Sequence, residues 1–115
     1  MYPAPAVLEL FAMRIRIFSN GIEAPLSPFI GKYPGNVCLG ITKSLKTPQP
    51  IGTFKYELEG DIVRIEVNQI PVPLNMSQGF SRIIVRDTIR GMVRHLKLAD
   101  PEGTIRIEVD METES

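Results

Sequence analysis

Hydrophobic and polar residues alternate with period two at both ends of the chain and again near its middle. Phe11, Met13, Ile15 and Ile17 alternate with Ala12, Arg14, Arg16 and Phe18, which predicts a strand over Val7–Phe18 with one buried face. Ile105, Ile107, Val109 and Met111 alternate with Thr104, Arg106, Glu108 and Asp110, predicting a second half-buried strand over Thr104–Glu112, after which Thr113–Ser115 should fray. Between them, Thr53–Gln69 predicts a hairpin. A two-residue turn at Gly60–Asp61, with glycine first as a type II′ turn wants, sets Leu58 opposite Val63, Tyr56 opposite Ile65 and Phe54 opposite Val67. The other face then pairs Glu57 with Arg64 and Lys55 with Glu66, and a slip of one residue would drive those charges into the core. Asn20–Gly21 marks a further turn, because both residues tolerate positive φ at low cost.

Period 3.6 replaces period two over Met76–Leu98. Val85, Ile89, Met92, Val93 and Leu96 form one apolar sector of roughly 120°, as a helix lying on a sheet requires. Asn75 and Gln78 resemble a capping box with Ser77 as a competing cap, Gly79 weakens the first turn, and Pro101 stops the helix. The preceding run Ile70–Leu74 holds Pro71 and Pro73, so an extended connector is expected there, not a central strand.

Residues 19–52 show neither period. Five prolines and five glycines interrupt the stretch, and only Val37–Thr42 looks strand-like. An Ω-like excursion around that short strand is expected, with a partner-binding arm as the alternative. The fold class that follows is α+β. We expect two layers, one long amphipathic helix packed on one face of a mainly antiparallel sheet of four or five strands. Arg14 and Arg16 complement Glu108 and Asp110, which favours the first and last strands as neighbours. The helical connection also permits one parallel pair.

Composition adds limits more than functions. The 115 residues, 43% hydrophobic and 23% charged, fit one soluble domain able to bury a core without staples. Cys38 is the only cysteine, so neither an internal disulfide nor a cysteine-based zinc site is expected. No apolar run is long enough for a membrane span, and the N-terminal residues do not read as a signal peptide, so a cytoplasmic protein is expected. Net charge is zero, yet residues 76–98 carry +4 and residues 99–115 carry −5. That balance disfavours a general nucleic-acid binder.

Candidate chemistry centres on the helix. Arg82, Arg86, Arg90 and Arg94 recur every fourth residue, with Lys97 beside them, and Lys32 stands in the loop segment Gly31–Gly35. Guanidinium forks suit phosphate or carboxylate groups, but such a row equally suits pairing to Asp87, the acidic C-terminal segment or a second subunit. Gly31–Gly35 is expected to form turns about Tyr33-Pro34 and lacks a Walker pattern. His95 has no located metal or catalytic partner, Cys38 sits in an apolar run, and Ser77 and Ser81 lack a nucleophile elbow. Glu57, Glu59, Asp61 and Glu66 read as a wet hairpin face. These motifs are too generic to nominate a family.

The function expected is a non-catalytic protein-interaction or self-associating module. Its interaction loop is Leu26, Phe29, Ile30 and Tyr33, its partner a second copy (most simply a homodimer) or another protein, and no cofactor or metal is called for. The alternative is binding of a phosphorylated ligand or nucleic acid along the arginine row. A second alternative is a small enzyme whose site the 19–52 segment completes, with Cys38, His95 and Lys32 as candidate groups.

Overall fold

The computed structural model describes residues 13–45, 50–73, 79–97 and 99–111, apart from the side chains of 28, 29 and 79–81. Along the chain run β1 (Met13–Ser19), β2 (Ile22–Glu23), α1 (Pro28–Ser44), β3 (Thr53–Glu59), β4 (Ile62–Val67), β5 (Ile70–Val72), α2 (Gly79–Val93) and β6 (Ile105–Met111). The class is α+β, and the described residues form six strands in one sheet and two helices where four or five strands and one helix were expected. Expected features at 7–12, 74–78, 98 and 112–115 lie outside the described residues.

The sheet order is β2-β1-β6-β3-β4-β5, and every neighbouring pair is antiparallel. The parallel pair that the helical connection permitted does not form. Instead each helical crossover skips two strands: α1 joins β2 to β3 across β1 and β6, and α2 joins β5 to β6 across β4 and β3. The hairpin register is the predicted one, with Phe54↔Val67, Lys55↔Glu66, Tyr56↔Ile65, Glu57↔Arg64 and Leu58↔Val63. Gly60 supplies the positive φ of its turn, at 58°, as the II′ geometry demands. The first and last strands are neighbours, and Arg14↔Asp110 and Arg16↔Glu108 lie opposite one another as the charges suggested.

Other expectations also need correction. Ile70–Val72 is an edge strand, not a free connector, with Pro71 opposite Glu66. An edge position lets proline lack its N–H without breaking a ladder on both sides. Asn68 and Gln69 make the tight turn before it at φ of 53° and 67°.

The larger correction is α1. Where an irregular excursion with a strand at Val37–Thr42 was expected, a 17-residue helix runs. Ser27 caps it, its hydroxyl accepting from Ile30 N–H at 3.1 Å, and Pro28 occupies the first turn, where a missing N–H costs nothing. The segment Gly31–Gly35 is therefore helical, with Pro34 inside the helix. Helix α2 is shorter than predicted. Beyond Val93 the bonds tighten to three-residue spacing, His95 N–H to Met92 O at 3.2 Å and Leu96 N–H to Val93 O at 2.9 Å, which ends the α-helical ladder.

Both helices contribute to the core on one side of the sheet. Ile17, Phe54, Tyr56, Leu58, Ile65, Val67, Ile105, Ile107 and Val109 meet Cys38 from α1 and Val85, Ile89 and Val93 from α2. The other face of the sheet carries charges in cross-strand rows. Lys55 and Glu66 lie 3.7 Å apart, Arg16 and Glu23 3.1 Å. Arg64 closes on Glu59 at 3.7 Å, although its register partner is Glu57.

Candidate functional site

The arginine row of α2 is turned toward one end of the sheet, where the β3–β4 turn and the loop before β6 meet. Arg90 is the centre of that junction. Only 9% exposed, it donates from Nη1 to Pro101 O at 2.6 Å and Gly103 O at 2.9 Å, and from Nη2 to Gly60 O at 3.0 Å. Three carbonyls from two segments thus satisfy one buried fork, a geometry that suits guanidinium and not ammonium. Arg82 donates from Nη1 to Asp61 O at 3.1 Å. Arg86 reaches Asp61 Oδ1 at 2.6 Å and Asp87 Oδ1 at 3.0 Å. Asp87, and then Asp61, hold its guanidinium protonated above the usual arginine range. Arg94 lies 3.7 Å from Glu102, and Lys97 is exposed beyond the helix end.

A hollow of about 430 Å³ opens here, lined by Gly60, Asp61, Arg86, Asp87, Arg90, Arg94 and Glu102. Its three guanidinium groups are matched by three carboxylates. An arriving anion would have to displace ion pairs already made and meet Asp61, Asp87 and Glu102 at once. Chemically the row is a staple, tying α2 to two loops.

The open sheet face offers a second hollow of about 380 Å³, whose lining includes Arg14, Arg16, Lys55, Glu66, Glu108 and Asp110. Here too the signs alternate. Phe18, the aromatic ring on this face among the described residues, is 9% exposed. The guanidinium groups of Arg106 and Arg16 lie over it, 4.1 and 5.0 Å from its centroid, in cation–π contact. A ring so roofed is not a platform for stacking bases.

The three groups considered for catalysis are not brought to either hollow. Cys38 is fully buried, and burial pushes its thiol up to about 12, so the thiolate a nucleophile needs is scarce at neutral pH. Its carbonyl accepts from Thr42 Oγ1 at 2.8 Å, and Thr42 Oγ1 lies 2.8 Å from the Tyr56 hydroxyl, a buried network that joins α1 to β3. Lys32 is half-buried on α1 and His95 is exposed. Among the described residues no group of three or more His, Cys, Asp or Glu side chains is placed to hold a metal ion. No described helix is long and apolar enough to cross a membrane.

The expected interaction loop is divided by the helix that replaces it. Leu26 packs against the core, Phe29 falls in the first turn of α1, and Ile30 and Tyr33 face outward at 46% and 57% exposure, joined by Val37 at 37%. The most buried line of α1 is made of small residues, with Gly31, Gly35, Cys38 and Thr42 buried beside Pro34, while Leu39 and Ile41 pack against the core from its edges. Gly35 is the tightest of these. A Cβ there would come within 2.8 Å of Ile15 Cγ1 and 3.1 Å of Met13 Cε. Spacings of four, three and four residues mark one side of a helix, so α1 carries a helical signal in its small residues. A search for large apolar positions misses it, and misses Val37 as a surface residue. On α2, Ile83 and Ile84 are also exposed. No protein-family model, curated protein or solved structure matches this chain.

Proposed function

We propose that this chain is a non-catalytic interaction module that associates with a second copy of itself through the outward flank of α1. The observation that carries this reading is the exposed flank of α1: small residues make its closest approach to the sheet and Leu39 and Ile41 pack against the core, while Ile30, Tyr33 and Val37 face out. A helix held only to its own sheet gains nothing from presenting its large apolar residues to water. The charges fit a two-fold contact. Lys32 and Lys43 are the only charged residues of α1, and they lie roughly 120–160° around the helix from Ile30 and Val37. Two α1 helices can therefore meet across a two-fold axis without pressing like charges together. The anion-binding alternative has less behind it, since Arg82, Arg86 and Arg90 already hold acceptors of the same chain.

Sedimentation equilibrium over the micromolar range tests the proposal. The wild-type chain is expected to associate reversibly. Val37→Glu, a change on the exposed flank, is expected to be monomeric with an unchanged circular dichroism spectrum. A wild-type chain that stays monomeric up to several hundred micromolar refutes it.

A further inference from the structure

The turn between β1 and β2 grips the loop that precedes β6. Asn20 N–H donates to Thr104 O at 2.7 Å. Its side-chain amide is held at both ends: Oδ1 accepts from Thr104 N–H at 2.9 Å, and Nδ2 donates to Asp100 Oδ2 at 3.3 Å. Ser19 Oγ holds the same loop, donating to Asp100 O at 3.1 Å and accepting from Asp100 N–H at 2.8 Å. Gly103 makes room for the amide, since a Cβ there would come within 2.6 Å of Asn20 Nδ2. Pro101 and Gly103 of this loop also supply two of the carbonyls around Arg90.

Of the four asparagines in the chain, Asn20 alone is followed by glycine. Without a Cβ, glycine leaves its peptide nitrogen open to the preceding side-chain carbonyl carbon and lets the backbone turn into that attack. The folded chain holds the attack off. Asn20 and Gly21 sit at φ of 52° and 82°, which closes the turn, while Asp100 and Thr104 hold the amide. To present Cγ to the Gly21 nitrogen, the Asn20 side chain has to rotate and give up both contacts. Asn20 and Gly21 are exposed, so water reaches the site.

We infer that Asn20–Gly21 is a deamidation site guarded by this clasp. The Gly21 nitrogen bonds to Asn20 Cγ, the Cγ–Nδ2 bond breaks, and Nδ2 departs as ammonia with the proton that the Gly21 nitrogen gives up. Water then opens the resulting succinimide ring at either carbonyl, giving aspartate or isoaspartate, with no oxidant or reductant involved. Aspartate sets a second carboxylate beside Asp100 where an amide donated before, and like charges so placed repel. Isoaspartate adds a carbon to the main chain of the turn. Either product releases the loop from its β1–β2 clasp.

Peptide mapping by mass spectrometry of the full-length chain, incubated at pH 8 and 37 °C, tests this. The wild type is expected to form aspartate and isoaspartate at residue 20 at least tenfold more slowly when folded than when unfolded in guanidinium chloride, because reaction waits on local opening. Gly103→Ala, whose methyl displaces the amide, and Asp100→Ala, which removes its acceptor, are each expected to raise the folded-state rate severalfold and to leave the unfolded rate unchanged. Val67→Ala destabilises the core at the far end of the sheet, opposite Phe54, and is expected to leave both rates unchanged. Equal folded and unfolded rates in the wild type overturn the inference, as does an unfolded chain that stays unmodified at residue 20. So does a folded-state rate that neither clasp variant moves, or that Val67→Ala raises as far, because global unfolding would then be what exposes Asn20.

Discussion

Helices α1 and α2 lie on the same side of one sheet and are built on opposite plans. In α2 the large apolar residues Val85, Ile89 and Val93 are buried and the cations sit on a flank. In α1 Gly31, Gly35, Cys38 and Thr42 are buried, and Ile30, Tyr33 and Val37 are not. The difference shows up in how each helix is attached. Large side chains fill space at a distance from the sheet, while small ones bring the helix backbone down onto it, as Gly35 does against Ile15 and Met13. Close approach supplements side-chain burial as the source of contact: Leu39 and Ile41 still pack against the core, and Ile30, Tyr33 and Val37 remain solvent-exposed. Each helix also makes a polar attachment. On α1 it is the buried Cys38–Thr42–Tyr56 network, on α2 the carbonyl cage around Arg90.

Alkaline pH should strike the α1 attachment hardest. Burial raises the Cys38 thiol from near 9 to about 12, and burial also raises the Tyr56 phenol. Both groups are neutral when protonated, so the folded state keeps protons that the unfolded chain releases. Their contribution is complete below pH 9 and is lost as pH rises from there toward 12. The slope is about 1.4 kcal/mol per pH unit for one proton, so Cys38 alone should remove about 3 kcal/mol between pH 8 and pH 11. Tyr56 adds to this above its ordinary value of 10. Urea titrations at the two pH values measure the loss, and Cys38→Ala should remove most of it. Equal urea midpoints at pH 8 and pH 11 would contradict a dry α1–β3 contact.

The two helices were also unequally legible in the sequence. Alternation was enough for the β3–β4 hairpin, because both faces made sense in one register and in no other. Charge complementarity between Arg14, Arg16, Glu108 and Asp110 was enough to place β1 beside β6. Helix α2 was legible because its core residues are large, although its end was not, since the tightening after Val93 leaves the apolar pattern running on to Leu96. In α1 the local preferences of Gly31, Pro34, Gly35, Val37, Gly40, Ile41 and Thr42 all oppose a helix. Tertiary contact overrides them, and the start signal Ser27-Pro28 was the local clue that agreed. The arginine row was visible as a row, but its four members looked equivalent. What separates them is which loops come near, and those belong to β3–β4 and to the approach to β6.

That inequality gives the α2 counterpart of the alkaline test. Replacing Arg90 with Met keeps the bulk of the side chain and removes three hydrogen bonds from a charged donor. At about 1–3 kcal/mol for a group left unsatisfied, softened by water reaching the loop carbonyls, we expect a loss of about 3 kcal/mol. Arg90→Lys keeps the charge without the fork and should recover less than half of it. The urea midpoint reports both, and full recovery by lysine would mean that charge alone, not the three-carbonyl geometry, holds the junction.

One turn further on, the same residue type should contribute almost nothing. Arg94 stands 3.7 Å from Glu102, and the two side chains are 60% and 73% exposed. Water solvates both partners with the pair open or closed, so Arg94→Ala should shift stability by no more than about 0.5 kcal/mol. Part of even that small effect would be the lost interaction of a cation with the C-terminal end of α2. Added salt should shrink it further, because Debye screening acts on exposed pairs first, whereas the Arg90→Met loss should persist at 1 M sodium chloride. A loss above about 1 kcal/mol for Arg94→Ala would show the row acting as a coupled network. Position along the helix would then no longer separate Arg94 from Arg90, and the α2 attachment would be spread over the row instead of concentrated in one buried side chain.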